Sequence, residues 1–298
     1  MNPSIPEAIS RRVEAILDSR VVESKPVARG YTPAMRFVVR TADGRSAFVK
    51  AASNDDTARW LLAERRVYER IRGDFLPRML GFDEAPSPIL VLEDLSAAHW
   101  PPPWTPCRVS ALQAALERVH ATTPPDGLVH VDVRGSILNG WSRVAADPTP
   151  FLSLGVVDRA WLDRCLPTLV RAEADAPSRG DAMLHFDVRS DNVCFDGDRA
   201  ILVDWNWTCL GDARLDAAFF AASLAAEGGP SPDDFLPGEP TLAAMTAGYF
   251  ASQAGTPPPF PGSRVRALQR TQLEHGLPWA IRALGLPTPA TPGQRTPA

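Results

Sequence analysis

Over residues 6–20 apolar side chains recur at Ile9, Val13, Ile16 and Leu17, the three- and four-residue spacing of one helix face. The period then drops to two. The runs "AMRFVVRT" and "SAFVKAA", joined by "ADGR", predict two strands folded about an Asp-Gly hairpin, with Lys50 near the end of the second. Helical spacing returns in "NDDTARWLLAERRVYERIRG", opened by an Asn or Asp cap and closed at Gly73, with Trp60, Leu61, Val67, Tyr68 and Ile71 as its apolar face. Glu64 stands on that same face, one turn after Trp60 and one before Tyr68. A carboxylate directed at a core requires a cationic partner. The stretch "LPRMLGFDEAPSPILVLEDLS" then predicts two more strands, ending on the polar pair Glu93-Asp94.

From about residue 105 the pattern is helical, through "RVSALQAALERVHAT" and "DRAWLDRCLPTLVRAEAD", until a second Asp-Gly hairpin in "NVCFDGDRAILVDWNW". These patterns predict an α+β chain. A small antiparallel-sheet lobe occupies residues 1–95, a larger, mainly helical lobe residues 96–286, and a disordered Pro-rich tail residues 287–298.

Composition narrows the classes of function. In 298 residues, 31 basic and 35 acidic side chains leave a net charge of -4 and are spread throughout, so no basic face is expected to track a nucleic acid. The first twenty residues carry charges every few positions, which fits neither a signal peptide nor a membrane span, and a cytoplasmic protein is expected. Four cysteines without a CxxC pair read as reduced, buried thiols.

Two stretches nearly repeat: "HVDVRGSILN" from His130 and "HFDVRSDNVCF" from His185. In the second, Asn192 follows Asp187 by five residues, and the hairpin after it returns Asp204 beside the same loop. One carboxylate can then take a proton from a hydroxyl, while the Asn192 carbonyl and the Asp204 carboxylate supply the hard oxygen ligands that magnesium prefers. In the first stretch the residue five after Asp132 is Ile137 and no hairpin follows, so residues 130–139 read as a strand or turn with a capping Asp.

"LHFDVRSDN" followed by "ILVDWNWTCLGDARLDAA" resembles the aminoglycoside phosphotransferase family, relatives of the protein kinases that phosphorylate small molecules. The resemblance implies a two-lobed, protein-kinase-like fold with ATP and Mg2+ as cofactors. It implies that Asp187 receives or orients the acceptor hydroxyl proton, that Asn192 and Asp204 bind the metal, and that Lys50, steered by Glu64, holds the α and β phosphates. Arg189 would stabilise charge on the transferred group, His185 would brace the loop, and Asp216 would anchor its backbone. "VLEDLS", with Glu93 and Leu95, would be the linker beside the nucleotide. The family's usual His-Gly-Asp is His-Phe-Asp here, and the turn over the nucleotide, "ARGYTPAMRF", has the single glycine Gly30. Residues 30–34 are assigned as the phosphate cover, and no ordinary P-loop exists. The implied acceptor is a small-molecule hydroxyl, first an aminoglycoside or other antibiotic; the alternatives are a choline-like, amino-alcohol or sugar kinase and a nucleotide-binding pseudokinase. Glu227, Asp233, Asp234 and Glu239 would suit a cationic acceptor, and a solvated loop explains them equally well.

Overall fold

The computed structural model describes residues 5–28 and 30–289. In chain order the first elements are α1 (Glu7–Leu17), β1 (Val21–Pro26), β2 (Met35–Thr41), β3 (Ser46–Ala51), α2 (Asp55–Arg70), β4 (Met79–Asp83), β5 (Ile89–Glu93) and α3 (Pro106–His120). Next come α4 (Gly135–Leu138), α5 (Gly140–Ala146), α6 (Thr149–Leu152), α7 (Arg159–Ala174), β6 (Ala182–Leu184), β7 (Val193–Asp196), β8 (Arg199–Leu202) and β9 (Cys209–Gly211). The chain ends in α8 (Arg214–Ala226), α9 (Pro232–Phe235), α10 (Pro240–Ala254) and α11 (Val265–Ala283).

Two compact units form. Of the described residues, the first holds those up to Pro101 with Thr105–Leu128 and Ser190–Thr208; the second holds Pro102–Trp104, Val129–Arg189 and those from Cys209 onward. In the first unit a five-stranded antiparallel sheet has the order β1-β2-β3-β5-β4. Strand alternation sorts its side chains. Phe37 and Val39, Ala47, Val49 and Ala51, and Ile89 and Val91 face a core closed by Val13 and Leu17 of α1. The intervening positions, Arg36, Val38, Phe48, Lys50 and Leu92, line a cavity. β1 went unread in the sequence because its residues are half-buried or exposed and show no clean alternation.

Asn54 caps α2 by accepting the Thr57 main-chain N–H at 2.9 Å, a capping box that fixes where the helix begins. The helix ends at Arg70 rather than Gly73, because Ile71 turns to an extended conformation and buries its side chain. In the second unit α5, α7, α10 and α11 pack around Trp141, Leu162, Leu169, Phe250 and Trp279. Residues 131–134 form a 3-10 turn running into α4, so the first repeat is a turn and not a strand. Cys165, Cys194 and Cys209 are buried free thiols, whereas Cys107, in the first turn of α3, is exposed. Of the expected tail, residues 290–298 lie outside the described residues, and the Pro287 carbonyl accepts the Trp161 indole N–H at 2.6 Å. No helix of the described residues is long and apolar enough to cross a membrane.

Candidate active site

In the first unit the central feature is a buried ammonium between two acids. Lys50 rises from β3 on the cavity face, 5% exposed, and donates to Glu64 and, at 2.7 Å, to Asp204. Glu64 reaches it because α2 turns its apolar face, with Leu61, Val67 and Tyr68 all buried, toward the same interior. One positive charge serves two carboxylates in a desolvated place. Burial pushes Glu64 up to about 8 against the pull of Lys50, with the Asp204 charge adding to the rise. Burial alone would raise Asp204 as well, but the Lys50 ammonium and a hydrogen bond from Glu64 hold it well below the usual carboxylate range. Asp204 therefore stays ionised.

Asp204 is delivered by the β7–β8 hairpin. The Val203 N–H donates to the Asn192 carbonyl at 2.9 Å, so Asn192 and Asp204 flank the two ends of the ribbon. Asp204 itself has φ 66° and ψ 59°, left-handed values that cost a residue with a Cβ about 1 kcal/mol or more. Tight anchoring holds it there: Trp205, fully buried, donates its indole N–H to the Leu202 carbonyl at 2.8 Å.

These residues share one cavity of about 320 Å3, lined by Lys50, Glu64, Asn192 and Asp204 together with the apolar Val38, Phe48, Leu92, Leu95 and Trp100. Gly30 and Glu93 line it too. The Leu95 carbonyl accepts the Trp100 indole N–H at 3.1 Å, and the Glu93 carboxylate turns aside to Arg199 at 3.2 Å and the Arg78 main-chain N–H at 3.0 Å. Apolar lining side chains together with the Lys50 ammonium and several oxygen donors suit a nucleotide, whose base would meet the first and whose phosphates the second. The Asn192 side-chain amide and the Asp204 carboxylate both line this cavity, and their hard oxygens could hold a divalent cation.

The remaining predicted residues lie in the second unit. His185 is fully buried, and its ring Nδ1 accepts the Asp187 main-chain N–H at 3.3 Å, a brace within the loop. Asp216, 1% exposed, accepts from the main-chain N–H groups of His185 at 3.0 Å and Phe186 at 2.7 Å. These two hydrogen bonds secure a turn in which Phe186 has φ 61°, the conformation for which a glycine would be suited. Its ring packs edge-on against Phe219, with centroids 5.4 Å apart. Asp187 and Arg189 form an ion pair at 3.1 Å, and their side chains stay partly exposed, at 21% and 17%. Asp212 accepts the Arg214 main-chain N–H at 3.0 Å at the start of α8. Asp132, by contrast, pairs in its 3-10 turn with an exposed Arg179 at 3.6 Å. Arg36, Trp100 and Asp191 also line the cavity and were not singled out by the sequence, where an arginine on a hairpin strand reads as a solvated side chain.

Residues 23–245 match the model of the phosphotransferase enzyme family. No curated protein sequence matches the chain. Among solved structures, the fold is similar to a spectinomycin phosphotransferase in complex with ADP and spectinomycin, at TM-score 0.60 and 13% identity over 94% of this chain and 98% of that one. It is also similar to an amicoumacin kinase in complex with AMP-PNP and Ca2+, at TM-score 0.57 and 12% identity over 91% and 93% of the two chains. A choline/ethanolamine kinase family protein from Mesorhizobium loti aligns at TM-score 0.55 and 15% identity over 93% and 98%.

Proposed function

The chain belongs to the phosphotransferase enzyme family, and from that premise we propose that it transfers the γ-phosphoryl group of ATP to a hydroxyl of a small molecule. The observation that carries this reading is Lys50 bonded to both Glu64 and Asp204 in a cavity that Asn192 also lines. When bound there, Mg2+ would neutralise phosphate charge. Asn192 and Asp204 would hold it, and Lys50, kept charged chiefly by ionised Asp204 and oriented by Glu64, would bind phosphate oxygens. Asp187 would orient the acceptor hydroxyl and receive its proton, and Arg189 would offset charge on the transferred group. His185 and Asp216 act on this chemistry only through the main chain of the loop. The same proposal includes a cytoplasmic setting, where the nucleotide is available.

The acceptor is read more coarsely. Each of the four acids in 227–239 already has a partner: Glu227 accepts the Trp104 indole N–H at 2.8 Å, Asp233 pairs with Arg282 at 2.5 Å, Asp234 accepts from the Ser231 hydroxyl at 2.6 Å, and Glu239 pairs with Arg214 at 2.9 Å. Those internal bonds weaken the case for a polycationic acceptor and leave neutral antibiotics, sugars and amino alcohols as candidates. ADP release should be measured with aminoglycosides, macrolides, peptide antibiotics, sugars and amino alcohols. Release with one class identifies the acceptor. Tight ATP binding with no release from any of them would favour the pseudokinase.

A further inference from the structure

Gly30, ahead of β2, lines the cavity that holds Lys50, but residues 30–34 lack the means of a glycine-rich loop. Such loops hold phosphates with a run of main-chain N–H groups. Here residues 30–34 read Gly-Tyr-Thr-Pro-Ala, with one glycine and, in Pro33, one position that has no N–H to offer. A side chain occupies the space instead. Arg36 stands on the cavity face of β2, directly across from Lys50 in the register of β2 and β3. Its guanidinium folds back under the turn, where Nη1 donates to the Thr32 carbonyl at 3.1 Å and the Ala34 carbonyl at 2.9 Å, and Nη2 donates to the Thr32 hydroxyl at 2.5 Å.

The turn closes tightly on it. Gly30 has φ 107°, and a Cβ there would lie 2.9 Å from the Arg36 Cζ and 3.0 Å from Nη2. All three of these bonds go to neutral oxygens, and no carboxylate among the described residues comes within ion-pair distance of Arg36. A half-buried guanidinium that is held rigid yet not neutralised is a receptor for an anion.

We propose that Arg36, pinned by Thr32, Ala34 and Gly30, is a phosphate-binding residue that replaces the glycine-rich cradle and works beside Lys50 on the nucleotide's phosphate chain. This rests on the reading of the cavity as a nucleotide site. The alternative role is a strut that only shapes the turn, and a series of nucleosides separates the two.

Isothermal titration of adenosine, AMP, ADP and ATP, each with EDTA and again with MgCl2, should be made on the wild type, Arg36→Met and Arg36→Lys. Loss of a charge-assisted contact predicts ADP and ATP affinity about tenfold or more weaker in Arg36→Met, with adenosine within about twofold, and partial recovery in Arg36→Lys. Adenosine binding by the variant also shows that it is folded. Equal losses for adenosine and ATP, or no loss for either, would overturn the phosphate role. If the wild type binds adenosine as tightly as ATP, the nucleotide reading itself fails. If it prefers ATP and Arg36→Met keeps the full preference, only the role of Arg36 falls.

Discussion

At the scale of single residues, two near-identical stretches have different surroundings. Asp187 sits in a loop whose main chain Asp216 holds at two N–H groups, whereas Asp132 sits in a 3-10 turn opposite an exposed arginine. Asp187→Asn should therefore reduce kcat about 100-fold or more with ATP affinity nearly unchanged, and Asp132→Asn should leave kcat within about twofold. Steady-state kinetics with the best acceptor checks both, and equal losses would mean that the first repeat also serves the reaction. Hairpin spacing already brings Asn192 and Asp204 together and helical period turns Glu64 inward, but the pairing of Lys50 with Glu64 comes only from the family resemblance. Arg36 could not be read from the sequence. Its role depends on a guanidinium folding back to the carbonyls of Thr32 and Ala34, which no periodicity records.

At the scale of elements, the alternation in β2, β3 and β5 was legible because one face meets a core and the other a cavity. The three-residue strands β6 and β9 were not, being shorter than any period that could reveal them. Neither was the crossing of α5, α7 and α10. Glu173 of α7, 4% exposed, accepts the Trp141 N–H with both carboxylate oxygens, at 2.9 and 3.1 Å, and the Ser142 N–H at 3.3 Å, capping α5 from another helix. A Cβ on Gly248 of α10 would lie 2.5 Å from Glu173 Oε1, so no side chain fits between the helices. Burial pushes this acid up to about 7, against the main-chain N–H groups that favour its charge. Because the folded value exceeds the ordinary one, the folded state holds the proton more tightly than the unfolded state. The associated stability is complete below the unfolded range near 4.5 and is lost as pH rises through about 7. Relative to Glu173→Gln, wild-type unfolding free energy should fall by about 2 kcal/mol between pH 5 and pH 8 in urea titrations. Parallel pH profiles would show that the acid is ionised throughout.

For the molecule as a whole, sequence period and compactness divide the chain differently. The change of period near residue 95 marks where strands give way to helices. Compactness instead gathers α3 and the β7–β8 hairpin into the first unit, since the Leu202 N–H donates to the Phe75 carbonyl at 2.8 Å and Arg118 pairs with Asp74 at 3.1 Å. Long-range closures of this kind leave no local mark, although the hairpin's own residues were legible. Their effect is to assemble the cavity with Lys50, Asn192 and Asp204 inside one unit. The most direct test of that assembly is calorimetric titration of AMP-PNP into wild type and Asp204→Asn, each with and without MgCl2. Magnesium should tighten binding at least tenfold in the wild type and by less than twofold in the variant. Equal enhancement in both proteins, or none in the wild type, would contradict a divalent-cation site at Asp204.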